Sequence, residues 1–470
     1  LTGNNLSERV AAYIEPLLPA QSSILIGLSG GVDSVVLLHL LHRLAPRFSW
    51  QLSALHVHHG ISPNADAWAD FCIEFCARHH IPLHIEHVDI TPLRKHGIEA
   101  AARKLRHAAF DKHTSDFVAL AHHADDQAET LLLQLLRGSG VRGASAMPVL
   151  SLSKWPVLSQ SKRPLFAERA GSPALLRPLL HSSRREILDY AATHGLNWIE
   201  DESNANDCYP RNFLRHRVLP LLGERFPAYR DTLARSAQHF AEASELLDEL
   251  AQQDAAQAIE GETLAVVALQ AMNMPRAKNL LRYFLHSIGA PMPQAVQLDD
   301  MMQQLCGARA DASVCIAYSD WEVRRYRGKV HVLRALGEFD RNLVLPWHGE
   351  SVLDWPALNI CLCFNHSRGV GISLAKLQRA PVTLRLRRGG ESLRPYPNAP
   401  MRTLKNLLQE HHVPPWQRDR LPLLYCGDEL ACAFGVAIAA EYLADAAEEG
   451  VQLFAEQRAG ASPAPTAFLG

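Results

Sequence analysis

The chain has 470 residues, of which 47% are hydrophobic and 20% charged, with a formal net charge of -2. That length exceeds one ordinary core and implies two to four domains, while the near-neutral balance excludes a globally basic coat and permits a local basic face. No run approaches about eighteen consecutive apolar residues, and the first ten residues lack the charged, apolar, small-residue order of a secretory signal, so neither a membrane span nor export is expected. Nine cysteines are scattered along the chain, and no second pair near Cys72 and Cys76 completes a zinc set. Cys361 and Cys363 read as buried strand thiols, and reduced cysteines fit a cytoplasmic protein.

Taken in chain order, residues 1–225 alternate strand and helix. Strands are expected over Ile24–Leu28, Leu52–Val57, Leu83–Val88 and Phe117–Ala121, and helices over Val32–Leu44, Asp66–His79, Glu99–Lys112 and Asp125–Leu136. This rhythm predicts an α/β domain with a parallel sheet, whose loops gather at the carboxyl edge of the strands. Residues 138–173 are loop-rich, and Ser183–His194 reads as a capped helix. Residues 226–338 read as an α+β domain, with a long helix over Thr232–Ala258, helices Pro275–Ile288 and Val296–Cys306, and strands Ser313–Ala317, Trp321–Arg325 and Lys329–Leu333. Residues 339–380 read as a linker and the start of a third region, with Gly337–Leu353 the linker proper. Residues 381–452 form a second small α+β domain: strand Val382–Arg388, helix Thr403–His411 and a hairpin around Gly427 and Asp428. Residues 453–470 read as a disordered tail.

The chemistry concentrates after the strands. Ser29-Gly30-Gly31-Val32-Asp33-Ser34 follows an apolar run and opens a helix. Two glycines allow a tight turn whose N–H groups face an anion, Ser29 and Ser34 add hydroxyls, and Asp33 can meet magnesium. The loop lacks the Gly-Lys-Ser/Thr ending of a Walker A motif and is not GxGxxG. A plain strand–helix turn containing Gly-Gly is the simpler alternative. After the fourth strand comes Ala121-His122-His123-Ala124-Asp125-Asp126-Gln127-Ala128-Glu129-Thr130. Asp126 and Glu129 share a helix face and can accept an amine or magnesium, and His122 stands where it can reach phosphates. Arg103 and Arg106 fall on one face and can neutralise phosphate charge, with Glu99 a partner for Arg103. Asp201–Asn204 and Arg211–Arg215 combine arginines with amide and hydroxyl groups, although a basic helix entrance would look the same. Further along, Arg385, Arg387, Arg388, Arg394, Arg402 and Lys405 make the first half of the last domain basic.

The loop at Ser29–Ser34 resembles the pyrophosphate-binding (PP) loop of the N-type ATP pyrophosphatases. Together with His56–Gly60, Ala121–Thr130, Arg137–Gly143, Arg177–Leu180, Arg211–Arg215, Gly389–Glu391, Lys405–Glu410, Pro414–Trp416 and Arg418–Leu423, it resembles the tRNA(Ile)-lysidine synthetases over most of the chain. One departure is Ala146, where the family often has glycine. The resemblance implies a PP-loop ATPase (adenine nucleotide alpha hydrolase-like) domain followed by two smaller α+β domains that bind tRNA. It implies adenylation of the C2 oxygen of wobble cytidine 34 in the CAU anticodon of tRNA(Ile), then attack on C2 by the lysine side-chain amine with release of AMP. Ser29, Gly30, Gly31, Val32, Asp33 and Ser34 would hold ATP and pyrophosphate. Asp33 would also face Mg2+. His122 and Arg211 would contact ATP or the adenylated intermediate, and Asp126 and Glu129 would hold lysine. Arg103, Arg106, Arg137, Arg142, Arg215, Arg385, Arg387, Arg394, Arg402 and Lys405 would support phosphate or tRNA contacts. ATP, Mg2+, free lysine and tRNA(Ile) are the implied ligands, without zinc, an iron–sulfur cluster or a membrane, and a homodimer is compatible. Two other readings remain: a tRNA 2-thiolating enzyme, which usually needs placed cysteines or an iron–sulfur cluster, and a non-catalytic tRNA-binding protein on a decayed ATPase scaffold.

Overall fold

The computed structural model describes residues 6–60, 62–91, 98–151, 173–200, 207–309, 312–335, 337 and 339–457. The chain divides into two compact units, residues 1–252 and 253–470.

In the first unit the strands are β1 (Ser23–Gly27), β2 (Gln51–His58), β3 (Leu83–His87), β4 (Phe117–Ala119), β5 (Leu150–Ser151) and β6 (Ala174–Leu176). The helices are α1 (Leu6–Ile14), α2 (Val32–Phe48), α3 (Ala65–Arg78), α4 (Ile98–Phe110), α5 (Ala124–Leu136), α6 (Val141–Ala144), α7 (Arg184–Thr193), α8 (Pro210–Phe213), α9 (Leu219–Arg225) and α10 (Tyr229–Ala258). Ile24, Leu25 and Ile26 are all buried, because a central parallel strand is covered on both faces. The sheet order is β3-β2-β1-β4-β6-β5, parallel except for β5, with Ile26 in register with both Ala54 and Ala119. The strand order therefore reverses between β1 and β4. Loops leaving those two strands diverge and open a crevice at their carboxyl ends, the usual ligand position in an open α/β sheet.

Local sequence explains most of the boundaries. Ser183 caps α7: its N–H donates to Glu186 Oε2 at 2.8 Å and its Oγ accepts the Glu186 N–H at 3.3 Å. Helix α2 runs past Leu44 and Pro46, and Ser49 ends it in the left-handed region at φ +59°. Helix α1 buries Leu6, Val10, Ala11 and Ile14, one face at helical spacing. Between α8 and α9, residues Leu214–Val218 form a π-helical turn.

The second unit begins within α10's last turns. It continues with β7 (Ile259–Glu260), β8 (Thr263–Ala265), α11 (Val266–Ala271), α12 (Met274–Ser287), α13 (Ala295–Gly307), β9 (Val314–Tyr318), β10 (Trp321–Tyr326) and β11 (Lys329–Arg334). Then come β12 (Val344–Trp347), β13 (Val352–Trp355), β14 (Ile360–Arg368), β15 (Ile372–Ser373), α14 (Leu374–Leu377), β16 (Val382–Arg385), β17 (Ser392–Leu393), β18 (Arg402–Thr403), α15 (Leu404–Glu410), α16 (Pro415–Arg418), β19 (Leu423–Cys426), β20 (Glu429–Ala433), β21 (Ala437–Ile438) and β22 (Glu449–Gln457). Three main sheets result, in the orders β7-β8-β11-β10-β9, β12-β16-β19-β20-β21 and β13-β14-β22-β15.

Three expectations are corrected here. The stretch 337–353, read as linker, contains β12 and the start of β13. Pro346 misleads because β12 is an edge strand, where a missing N–H is tolerated. Residues 453–457, read as tail, complete β22, which pairs along all of β14; the remainder, 458–470, lies outside the described residues. Cys361 and Cys363 are half-buried rather than buried, because β14 turns Leu362 and Phe364 to the core and these two to its other face.

Candidate active site

The loop after β1 is shaped by its own side chains. Gly30 has φ +88°, which favours glycine, and a Cβ there would stand 2.8 Å from the Ile199 Cδ1 methyl, which would have to shift. The buried Ser34 hydroxyl donates to Gly31 O at 2.9 Å and accepts the Ser29 N–H at 3.2 Å. Ser34 is thus a knot inside the turn, whereas Ser29 stays exposed. Gly31 is the N-cap of α2 and offers no side chain to its first turn, so the N–H groups of Val32, Asp33 and Ser34 form an anion-binding head.

The loop after β4 delivers α5 to the same crevice. His123 is its N-cap, and the His123 N–H donates to Asp126 Oδ2 at 3.0 Å. Asp126 and Glu129 do share one face, but both carboxylates are already paired. Arg211 Nε donates to Glu129 Oε2 at 2.6 Å and its Nη2 to Asp126 Oδ1 at 3.0 Å. Arg215, from the π-helical turn, donates through Nε to Glu129 Oε1 at 2.6 Å and through Nη2 to Asp126 Oδ1 at 3.1 Å. Glu129 is 0% exposed. Burial pushes the Asp126 carboxyl up, but His123, Arg211 and His122 outweigh it and hold it below the usual range. Burial also acts to lower Arg215, but its bonds to Glu129 and the charge of Asp126 raise it overall. This quartet is neutral by count and keeps its charge only as a set.

Asp33 lies beside it. Its Oδ1 is buried without a hydrogen-bond partner and stands 3.8 Å from His123 Nε2, and its Oδ2 is 3.4 Å from Arg184 Nη1. Burial raises the Asp33 carboxyl more than His123 and Arg184 lower it. One carboxylate oxygen without a partner beside a phosphate cradle fits Mg2+, which is usually held by one or two carboxylates plus substrate phosphates. Among the described residues, no group of three or more His, Cys, Asp or Glu is arranged to hold a metal by itself.

His122 is half-buried and pushed down to about 3 by burial and by Arg177, Arg211 and Arg103, so it is a neutral imidazole with Nδ1 unpartnered. Arg103 and Arg106 are exposed on α4, whereas the Glu99 side chain and Asp201–Asn204 lie outside the described residues. Arg137 is exposed at the end of α5, and Arg142 pairs with Asp248 at 3.0 Å. Two participants, Arg184 and Arg230, went unread in the sequence, and two, Asp125 and Arg177, were read only as members of their motifs. Asp125 accepts the Arg184 N–H at 3.0 Å and is paired with Arg230 of α10; Arg177 is buried and donates to Pro148 O at 2.8 Å. Ser183 and Glu186 announced α7, but nothing in the sequence aimed Arg184 at Asp33.

In the second unit the expected basic face is largely paired. Arg385 reaches Gly427 O at 2.7 Å and Asp428 at 3.5 Å, Arg387 lies 3.7 Å from Glu391, Arg394 3.8 Å from Glu441, and Arg402 pairs with Glu410. Lys405 is exposed on α15.

A glycine-rich turn at the reversal point of a parallel sheet, facing an acidic helix head, defines a PP-loop ATPase, and residues 3–222 match the PP-loop domain family. Residues 264–331 match the TilS substrate-binding domain and residues 382–454 the TilS substrate C-terminal domain. The chain is 42% identical over 413 residues to the tRNA(Ile)-lysidine synthase of Nitrosomonas europaea, covering 88% of this chain and 87% of that one. It is 38% identical over 445 residues to that of Coxiella burnetii, covering 94% and 95%. Among solved structures it is similar to the U34-tRNA thiolase NcsA of Methanococcus maripaludis, at 20% identity and TM-score 0.41 over 50% of this chain and 78% of that one. The chain belongs to the tRNA(Ile)-lysidine synthase family.

Proposed function

We propose that the crevice between β1 and β4 carries out both halves of lysidine formation. The chain is an ATP-dependent ligase of tRNA(Ile) that converts cytidine 34 to lysidine. The observation that carries the residue-level reading is the meeting of two loop systems at one place: the Ser29–Ser34 turn and the Asp126/Glu129 head, with Asp33 and His123 at their junction.

In the first half, the C2 oxygen attacks the α-phosphorus of ATP and pyrophosphate leaves. The backbone N–H groups from Val32 to Ser34 and the Ser29 hydroxyl receive the departing charge. Mg2+, held by Asp33 and the phosphates, would neutralise the same charge. His122, being neutral, offers a hydrogen bond to nucleotide or intermediate without adding charge. In the second half, the lysine ε-amine attacks C2, the C2–O bond breaks and AMP leaves. The amine is mostly ammonium at neutral pH, so it needs a carboxylate to seat it and to take its proton. Asp126, slightly exposed at 8%, is the better seat than the fully covered Glu129. Arg211 or Arg215 must then release Asp126 Oδ1 as lysine enters, while Glu129 keeps the remaining guanidinium in place. Lys405 and the basic residues of the second unit contribute sequence-independent phosphate contacts. A tRNA substrate also supports a cytoplasmic location for the protein.

The test is formation of lysidine from labelled lysine, ATP and unmodified tRNA(Ile), with pyrophosphate followed in parallel. We expect one pyrophosphate per lysidine and no incorporation into a tRNA whose wobble base is not cytidine. Pyrophosphate release without lysine incorporation under any condition would remove the second half of the proposal.

A further inference from the structure

Helices α2 and α7 run parallel in one register. Asp33 faces Arg184, His39 Nδ1 lies 3.0 Å from Tyr190 OH, and Arg43 Nη1 lies 2.7 Å from His194 Nε2; each pair is 151 positions apart. The first turn of α7 therefore stands level with the first turn of α2, beside the phosphate cradle. Beyond the end of α7 the chain returns to the same loop, where the Ile199 N–H donates to Gly30 O at 2.9 Å. One helix and its return strap thus grip the loop at both Asp33 and Gly30.

Arg184 is the charged group at that grip. Its root is fixed, because its backbone N–H is held by Asp125 Oδ2 at 3.0 Å. Its end is loose: the side chain is 46% exposed, and 3.4 Å to Asp33 is long for a guanidinium–carboxylate bond. The Arg211 and Arg215 bonds to Glu129, at 2.6 Å, show what a committed pair looks like in the same site. A fixed root, a weak partner and a position level with the open N–H groups of α2 leave this guanidinium able to change partners.

We propose that Arg184 is a phosphate-contacting residue of the reaction: it rests on Asp33 when no nucleotide is present and transfers to a non-bridging oxygen of the β- or γ-phosphate when ATP enters, freeing Asp33. This rests on the PP-loop reading of Ser29–Ser34. No bond is made or broken in the exchange; one ion pair replaces another, and the released carboxylate is the one suited to Mg2+.

The experiment measures binding of inorganic pyrophosphate without Mg2+, by calorimetry on the full chain, for Asp33→Asn and for Asp33→Asn with Arg184→Gln. With Asp33 neutral, Arg184 has no carboxylate to screen, so any loss in the double variant reports a direct contact with the anion. We expect the double variant to bind pyrophosphate about tenfold more weakly, the scale of one charge-assisted hydrogen bond. Equal affinity of the two would overturn the proposal and leave Arg184 as a screen for Asp33. If Arg184→Gln does not fold, judged by circular dichroism, Arg184→Met in the same background keeps the aliphatic stem but loses the charge; an affinity equal to that of Asp33→Asn alone would likewise overturn it. Wild-type chain that binds pyrophosphate but makes no lysidine would instead count against the ligase reading and leave Arg184 standing.

Discussion

The arginines of the two units look alike in sequence and differ in what they hold. Arg211 and Arg215 converge on two carboxylates, one of them fully buried, and each carboxylate serves both guanidiniums. Arg385, Arg394 and Arg402 each meet a carboxylate that is half or more exposed, one to one. A shared, desolvated set fails as a unit when one member goes, whereas a solvated pair is replaced by water at little cost. Ion pairing alone therefore does not distinguish a site from a surface; the sharing of oxygens and the loss of water do.

The largest expected effect follows from the buried member. Glu129→Gln leaves two guanidiniums sharing Asp126 as their one carboxylate in the set, and should destabilise the chain by about 3–5 kcal/mol. Glu410→Gln, which removes the partner of Arg402, should cost about 1 kcal/mol or less. Chemical denaturation of both variants checks this, and equal losses would break the comparison. Next, Asp33→Ala should slow tRNA-dependent pyrophosphate release by about 10²-fold or more while the circular dichroism spectrum is kept, because one preorganised charge contact at the leaving group is removed. A near-normal rate would separate the charge cluster from the chemistry. A smaller effect is expected in the second unit. Lys405→Glu should weaken tRNA binding several-fold and lower the salt slope by roughly one. An unchanged slope would place the phosphate contacts on other residues. The smallest concerns Ala146, which sits at φ +53°, in the left-handed region that favours glycine. Ala146→Gly should relieve the left-handed strain and raise stability by about 0.5–1 kcal/mol. A loss of stability in thermal melting would show that the Ala146 methyl packs usefully.

How much of this was legible follows the same division. The β1 and β4 loops were readable because a glycine turn and an acidic helix start each leave a local mark. Apolar strands also set their place at the sheet edge. The destination of Arg211 and Arg215 was not readable, since they sit some eighty residues from Asp126 and Glu129, Arg211 on α8 and Arg215 on a π-helical turn with no local signature. Arg184 escaped for the same reason: its partner is fixed by the packing of two helices. In the second unit, Pro346 and the polar, alanine-rich approach to residue 457 disguised edge and return strands, whose pairing is long-range.

The shared register of α2 and α7 also has an acid-side consequence. Away from the loop, the contact is lined by rings: His39 packs against His79, His194 and Tyr190, and His42 against His79, with Arg43 and Arg78 adding positive charge nearby. Burial, then His194, His79, Arg43 and His42, push His39 down to about 4. The unfolded chain takes up that proton near its ordinary value, about 6.5, so the stability this seam supplies is complete above that pH and drains away as pH falls toward 4. Melting temperature should drop by roughly 2–4 °C more between pH 7 and pH 5 in the native chain than in His39→Gln. Because the same two helices present Asp33 and Arg184 at their other ends, the seam whose contribution acid removes is the one that holds the nucleotide loop in place.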